Sequence, residues 1–165
     1  MTDWNRIVRE HGPLVFGTAW RILGHAADCE DVVQEVFLEA YRLRAGQPVR
    51  HWPGLLRRLA VCRALDRLRQ RRPLLPLDCQ PAAGPGDDPE ETAIGHELAE
   101  RLRQALAELP RQEAAVFCLR YFEDTPNQQI ADILKISPGA VGVALHKARA
   151  RLETLLEEVP KGNES

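Results

Sequence analysis

The segment TPNQQIADILKISPGAVGVALHKARARL, residues 125–152, carries two helix-start signals in close succession. In Thr125-Pro126, and again in Ser137-Pro138, a hydroxyl side chain that can cap a helix precedes a proline at the first helical position. The apolar spacing predicts a short helix, a turn at Lys135-Ile136 and a second helix that ends near Glu157. Two helices joined by a tight turn form a helix-turn-helix unit.

In a DNA-binding helix-turn-helix, the start of the second helix enters the major groove, and residues further along the helix meet phosphates. By position, the candidate DNA contacts of this unit are Gln128, Gln129, Ser137, Gly139, Ala140, Gly142, His146, Lys147 and Arg149. Two capped helices also occur in helical proteins that never touch DNA. The small residues Gly139 and Ala140 fit either close approach to DNA or simple packing.

The chain before this unit is also expected to be helical. An apolar stretch from Leu14 to Leu23 follows Gly12-Pro13 and stops at Gly24. Asp28 can then cap a helix with an acidic first turn, and Pro53 can begin a third helix that runs to Arg72. The expected buried stripe of the helix after Asp28 is Val32, Val33, Val36, Phe37, Ala40, Tyr41 and Leu43.

Residues 73–92 contain five prolines and two glycines, which predicts a linker rather than a helix or a central strand. Helix is expected to resume near Glu91 and to end before Pro110. The apolar face of that helix is predicted to be Ile94, Leu98, Leu102, Leu106 and Leu109. The predicted fold is all-α, with two small helical domains, residues 1–72 and 93–158, joined by a Pro/Gly-rich acidic linker, residues 73–92.

Charge is distributed unevenly along the chain, although the formal net charge is only −2. Residues 42–72 contain ten arginines and one acid, Asp66, whereas residues 78–100 contain seven acids and no Lys or Arg. A solvated face normally mixes signs, so the arginine-rich segment favours an anionic partner. Trp52, in the break before the arginine-rich helix, either stacks on unpaired bases or anchors the core.

Several function classes are not favoured. No apolar run approaches the length of a membrane span, and the charged N-terminus lacks the apolar core of a signal peptide, so a cytoplasmic protein with no membrane partner is expected. The cysteines Cys29, Cys62, Cys79 and Cys118 are far apart, which favours reduced thiols over a disulfide framework or a zinc site. A phosphate-binding glycine loop, a nucleophile elbow and metal-ligand spacing are missing from the sequence. We therefore expect neither an enzyme nor a bound metal or cofactor.

The segment DCEDVVQEVFLEAY, residues 28–41, resembles region two of extracytoplasmic-function sigma factors, the smallest members of the sigma superfamily. Residues 64–69, ALDRLR, look like the end of that region. Region four is resembled by residues 106–110, 121–122, 129–131, 136–141 and 147–152. The likeness covers nearly the whole chain in the expected order.

The resemblance implies a sigma factor that binds core RNA polymerase through its largest subunits and directs promoter recognition. Region two would bind the clamp coiled coil of the largest subunit through Asp31, Gln34, Glu35 and Glu39. The loop at residues 46–52 and the basic helix after it would hold the melted strand of the minus-ten element through Arg50, Trp52, Arg57, Arg58, Arg63 and Arg67. The linker would thread toward the RNA exit channel. The helix-turn-helix would read the minus-thirty-five element, and an anti-sigma factor, which many members have, is a further candidate partner.

The sequence departs from the family pattern in three places. Cys62 stands where the family often has Asn, and Gln128-Gln129 replaces the usual acid before Ile-Ala. Gly142, Val143 and Ala144 stand where members commonly carry a Lys or Arg with polar neighbours, and these side chains cannot make bidentate hydrogen bonds to bases. Base reading is therefore expected to rest on backbone approach, methyl contacts, DNA shape, or His146 and Lys147. The alternative function is a stand-alone helix-turn-helix regulator, which would leave the arginine-rich helix unexplained.

Overall fold

The computed structural model describes residues 3–71 and 89–157, with the side chains of residues 89–92 left out. Within these ranges the chain is helical and contains no strand, as the sequence predicts. The helices are α1 (Trp4–Leu23), α2 (Ala26–Arg44), α3 (Trp52–Gln70), α4 (Pro89–Glu108), α5 (Arg111–Phe117), α6 (Asn127–Leu134) and α7 (Pro138–Glu157), and a π-helical turn (Cys118–Phe122) extends α5. Most of the predicted linker, together with Cys79, lies outside the described residues.

Helix α1 begins earlier than predicted, because Asp3 rather than Gly12-Pro13 starts it. The Asp3 side chain accepts a hydrogen bond from the Asn5 N–H at 3.1 Å, and Pro13 lies inside the helix. Buried residues lie on both sides of Pro13, from Ile7 to Ile22, so packing holds the helix together across the proline. The predicted stop is confirmed: Gly24 ends α1 with a φ of 62°, a left-handed conformation that favours glycine.

Helix α2 also starts differently, because its N-cap is His25 and not Asp28. The His25 Nδ1 accepts a hydrogen bond from the Asp28 N–H at 3.4 Å, which places Asp28 inside the first turn. The predicted buried stripe is only partly confirmed. Tyr41 and Leu43, near the C-terminal end of α2, are 46% and 43% exposed. Its buried residues are Cys29, Val32, Val36, Phe37 and Ala40.

Helix α3 is the central element of the fold. The His51 Nδ1 caps it by accepting a hydrogen bond from the Gly54 N–H at 3.0 Å, with Pro53 in the first turn as predicted. A Cβ added at Gly54 would lie only 2.7 Å from this nitrogen, so the cap needs glycine there. Helix α3 packs against α1 and α2 on one side and against α4, α5 and α6 on the other. Its buried residues are accordingly spread around the helix: Gly54, Leu56, Leu59, Ala60, Val61, Ala64, Leu65 and Leu68.

The second group of helices, α4 to α7, encloses Leu106, Val116, Leu119 and Ile130, each fully buried. The predicted apolar face of α4 is covered only near its C-terminal end. Leu106 and Leu109 are buried, whereas Ile94 and Leu98 are 60% and 57% exposed.

The helix-turn-helix is present, with a corrected start. Thr125 was expected to cap α6, but its hydroxyl is buried and donates to the Glu123 carbonyl at 3.3 Å, and no side chain caps α6. The turn contains Lys135 at a φ of 57°, followed by Ser137, whose Oγ accepts a hydrogen bond from the Ala140 N–H at 3.1 Å. The second predicted cap is therefore confirmed.

Polar contacts join the two groups of helices. The Arg103 guanidinium donates to the Ile22 carbonyl at 3.0 Å, near the C-terminal end of α1, where a cation also complements the helix dipole. The Arg69 guanidinium donates to the Leu109 carbonyl at 2.6 Å. Two ion pairs add to these contacts, Arg111 with Asp66 and Arg21 with Glu123.

Candidate protein-docking and nucleic-acid interfaces

A row of ion pairs joins α2 to α3, and we call it the α2–α3 ladder. Both Arg63 Nε and Nη2 donate to one Glu39 carboxylate oxygen, at 2.9 and 2.8 Å. The Arg67 guanidinium donates to Glu35 at 2.8 Å and to Asp31 at 3.3 Å. The last rung joins Arg71 to Asp28 at 2.6 Å. The ladder therefore pairs three of the acids predicted to dock a protein, Asp31, Glu35 and Glu39, with two of the arginines predicted to hold DNA, Arg63 and Arg67.

The ladder changes the charge argument made from the sequence. The one-sided run of arginines has carboxylate partners inside the fold, so its imbalance alone does not require an external anion. The hydrogen bonds that Arg63 donates to Glu39 and that Arg67 donates to Glu35 raise the pKa of the two guanidinium groups. Among the described residues, no carboxylate lies within ion-pairing distance of Arg50, Arg57 or Arg58. Of the five arginines predicted to hold DNA, these three are the ones without a carboxylate partner among the described residues.

The exposed side of α2 forms a candidate protein-docking face. Asp31, Glu35 and Glu39 keep 55%, 39% and 34% of their side chains exposed, even though each is paired with an arginine. Gln34 is exposed beside them, and so is Leu38, at 53%. Sequence reasoning missed Leu38, although its helical spacing from Gln34 and Glu35 places it on the same face. The docking face, which we define as Asp31, Gln34, Glu35, Leu38 and Glu39, thus has one apolar side chain among polar ones.

An aromatic cluster that includes Trp52 lies where α1, α2 and α3 meet. The Trp52 ring is half-buried and packs edge-on against Trp4 at 5.9 Å, as an anchor of the core would. Tyr41, also packed edge-on against Trp4, stays 46% exposed. The Arg44 guanidinium lies 4.1 Å from the centre of the Tyr41 ring. Tyr41, which is exposed, and Arg44, which is half-buried, are therefore the aromatic and cationic groups beside the loop that contains Arg50.

The arginines at the start of α3 have different surroundings. Arg50 is exposed, whereas Arg57 and Arg58 are partly buried. The Arg57 Nε is buried without a hydrogen-bond partner among the described residues. Arg58 lines a shallow groove together with Cys62 and Arg111. The groove thus lies between α3 and the second group of helices.

The exposed face of α7 is sharply separated from its buried face. Val141, Ala144, Leu145 and Ala148 are buried, which removes Ala144 from the possible base contacts. The exposed side of the first turns, which we call the α7 reading face, consists of Gly139, Gly142, Val143, His146 and Lys147. All but Val143 are candidate contacts from the sequence, and Val143 is 56% exposed.

The remaining candidate DNA contacts of the helix-turn-helix differ in their exposure. Gln128, Gln129 and Ser137 are exposed, whereas Ala140 is half-buried. Arg149 is exposed but engaged: its Nε donates to the Tyr121 hydroxyl, and its guanidinium lies 5.2 Å from the centre of that ring.

Residues 3–71 and 93–157 were also compared with the requirements of a metal site, a disulfide bond and a membrane-spanning helix. No group of His, Cys, Asp and Glu side chains in them is arranged to hold a metal ion. Cys29, Cys62 and Cys118 are free thiols, as predicted, and burial raises the pKa of each. No described helix is both long and apolar enough to cross a membrane.

Comparisons with solved structures support the arrangement of helices. CnrH, in a complex with the cytosolic domain of CnrY, superposes with a TM-score of 0.61 at 24% identity and covers 93% of this chain and 87% of that one. The sigma factor RpoE, in a complex with the anti-sigma factor NepR from Bartonella quintana, gives a TM-score of 0.56 at 13% identity, over 96% and 99% of the two chains. At these identities the likeness shows the fold.

Comparisons of sequence show the family. Residues 7–73 match the family described as Sigma-70 region 2, and residues 99–152 match Sigma-70, region 4. The chain is 27% identical to the ECF RNA polymerase sigma factor SigW of Bacillus subtilis, over 88% of this chain and 84% of that one. It is 30% identical to the ECF RNA polymerase sigma factor SigE of Mycolicibacterium smegmatis, over 94% of this chain and 62% of that one. The chain belongs to the extracytoplasmic-function group of RNA polymerase sigma factors.

Proposed function

We propose that this protein binds core RNA polymerase through the docking face of α2, opens the minus-ten element beside the start of α3 and reads the minus-thirty-five element with α7. The observation that carries the proposal is that one chain presents an acidic docking face, arginines without a carboxylate partner and a helix-turn-helix on separate parts of its surface. A stand-alone regulator would need only the last of these and is not favoured. The protein acts as an initiation factor in the cytoplasm, where the polymerase is, and has no catalytic role of its own.

The docking face has the composition of a protein interface rather than of a DNA interface. The α2–α3 ladder contains four carboxylates against three arginines, which leaves one negative charge unmatched. This charge would be repelled by phosphates, whereas it complements a basic helical partner. Leu38 supplies apolar area that a partner can bury, surrounded by polar groups that can hydrogen-bond at the rim. This composition supports docking to the clamp coiled coil of the largest polymerase subunit.

Promoter melting is assigned to Arg50, Arg57 and Arg58, with Tyr41 and Arg44 beside them. Unpaired guanidinium groups supply phosphate contacts, and an exposed aromatic ring with a stacked arginine offers a surface for an unpaired base. Trp52 supports this surface from within, through its contact with Trp4. Arg63 and Arg67 contribute less to DNA binding in this proposal, because the α2–α3 ladder already matches their charge.

An anti-sigma factor is proposed as a regulatory partner. Of the two solved structures with the same fold, the sigma factor RpoE is in a complex with the anti-sigma factor NepR, and CnrH is in a complex with the cytosolic domain of CnrY. The exposed apolar residues Ile94 and Leu98 on α4 offer area to such a partner.

Run-off transcription with purified core polymerase, with and without this protein, tests the proposed function. We expect specific transcripts only when the protein is present, from promoters selected out of a genomic library. In a pull-down of core polymerase, Leu38→Asp should weaken binding at least tenfold, because it removes the apolar contact without breaking the α2–α3 ladder. Glu10→Lys, a charge change in an exposed pair on α1, is the matched control and should bind normally. Footprinting of duplex DNA by the protein alone, without any stimulation of polymerase, would favour the stand-alone regulator instead.

A further inference from the structure

We propose that Val143 is a specificity-determining residue of this sigma factor and that it recognises the 5-methyl group of a thymine in the upstream promoter element. The inference deepens the proposed function, on which it rests, by naming a side chain that reads a base. Val143 is the sixth residue of α7, within the turns that enter the major groove in a helix-turn-helix.

The position of Val143 on α7 argues against a role in packing. Val141, Ala144, Leu145 and Ala148 form the buried face, and Val143 lies on the opposite side, 56% exposed. Three of the neighbours of Val143 at helical spacing, Gly139, His146 and Lys147, are exposed, and the fourth, Ala140, is half-buried. An isolated valine on the surface would need no explanation, but this one stands at the centre of the α7 reading face.

The two glycines next to Val143 are not required by the protein itself. A Cβ added at Gly142 would meet no heavy atom within 4 Å, and one added at Gly139 would meet only the Ser137 Oγ, at 3.9 Å. Neither glycine has a positive φ. Glycine weakens a helix relative to alanine, so nothing in the fold itself accounts for two glycines here. Because the glycines have no side chains, Val143 projects beyond the helix backbone around it. The side chains of its own turn are not long enough to keep a DNA duplex away from it.

The chemistry of valine selects the group that is read. Val143 can neither donate nor accept a hydrogen bond, so it cannot distinguish bases by the polar pattern of the groove. The apolar group on the major-groove edge of DNA is the thymine 5-methyl, and apolar side chains are the usual partners of that group. His146 and Lys147, one turn further along, remain available for polar contacts and phosphates.

The test replaces thymine with deoxyuridine, which lacks only the 5-methyl group. A promoter is first selected with reconstituted holoenzyme from a library with a randomised upstream element. Each thymine of that element is then replaced singly, and holoenzyme affinity is measured. We expect one position at which the replacement weakens binding roughly fourfold, the equivalent of about 0.8 kcal/mol for one buried methyl group.

Variants of Val143 connect that position to the side chain. Val143→Ala should bind thymine and deoxyuridine promoters with nearly equal affinity, whereas Val143→Thr, which keeps one methyl group and the shape, should retain part of the difference. Leu156→Ala, which changes an exposed apolar residue near the other end of α7, is the matched control and should keep the full difference.

The inference is wrong if wild-type holoenzyme binds thymine and deoxyuridine promoters equally at every position, if the selected element contains no thymine, or if Val143→Ala keeps the full difference. The first two outcomes do not depend on the folding of any variant. Failure of the proposed function looks different, because no specific holoenzyme complex would form on any promoter.

Discussion

The salt dependence of promoter binding should separate the unpaired arginines from those of the α2–α3 ladder. The first variant replaces Arg50, Arg57 and Arg58 with glutamine, and the second replaces Arg63 and Arg67 in the same way. If position along the arginine-rich segment decided DNA binding, both variants would lose phosphate contacts. If ion pairing decides it, the first variant should lose them and the second should largely keep them.

The size of the effect follows from counterion release. Each phosphate contact on a single strand contributes about 0.7 to the slope of log affinity against log salt, so three lost contacts should make the slope about 2 shallower. Between 50 and 200 mM salt, this difference corresponds to roughly 16-fold in affinity. The ladder variant should change the slope by less than about 0.5. It should instead cost at most about 1 kcal/mol of stability per pair, since Glu35 and Glu39 stay partly exposed.

The assay is holoenzyme binding to a promoter with a pre-melted minus-ten element, measured by fluorescence anisotropy at four or more salt concentrations. A triple replacement of Arg6, Arg9 and Arg101 with glutamine removes the same charge elsewhere on the surface and should keep the wild-type slope. A wild-type slope for the Arg50, Arg57 and Arg58 variant would refute the assignment of minus-ten contacts. If the salt slope decreased as much per replaced arginine in the ladder variant as in the Arg50, Arg57 and Arg58 variant, the argument from ion pairing would be refuted.

Three further predictions concern the fold. Gly24→Ala should lower the free energy of unfolding in urea by about 1 kcal/mol or more, because a φ of +62° strains any residue with a Cβ. The Arg103 guanidinium, which donates to the Ile22 carbonyl, would also have to move aside. Gly12→Ala, with open space around it, should be neutral or stabilising. Arg21→Ala should lower the free energy of unfolding by about 1–2 kcal/mol, because it leaves the Glu123 carboxylate, whose side chain is only 4% exposed, without its cation. A double variant that also carries Glu123→Gln should recover part of this loss. If the single and the double variant were equally stable, the pairing argument would be wrong. Burial raises the pKa of the Cys118 thiol and so lowers its thiolate fraction, so iodoacetamide at pH 8 should label Cys118 only after unfolding, and rapid labelling of the folded protein would contradict its burial.

Much of the fold follows from local signals in the sequence. Gly24, Pro53 and Ser137 act through their own backbone and side chain, and each ends or begins a helix as predicted. The errors at Pro13 and Thr125 have the opposite origin. Tertiary packing keeps Pro13 inside α1 and buries the Thr125 hydroxyl, so neither residue begins a helix as predicted.

The reading face of α7 shows what helical spacing can and cannot supply. Spacing alone places Gly139, Gly142 and His146 on one side of the helix, and the structure agrees. Helical spacing does not show that Val143 is exposed, because the sequence does not determine which face of α7 the other helices cover. Val143 was grouped with Ala144 as unable to hydrogen-bond, yet one is exposed and the other buried.

The α2–α3 ladder is predictable from the sequence once the two helices are paired. A count of charge along the chain does not reveal it, because arginines and acids fall in different segments. Yet α2 and α3 are consecutive helices joined by a short loop, an arrangement in which they run antiparallel. Residue numbers then rise along one helix as they fall along the other, so Asp28 faces Arg71, Glu35 faces Arg67 and Glu39 faces Arg63. Repeats of about four residues on both helices would have matched Asp28, Glu35 and Glu39 to their arginines. Arg57 and Arg58, at the start of α3, have no such match, and the same reasoning leaves them for DNA.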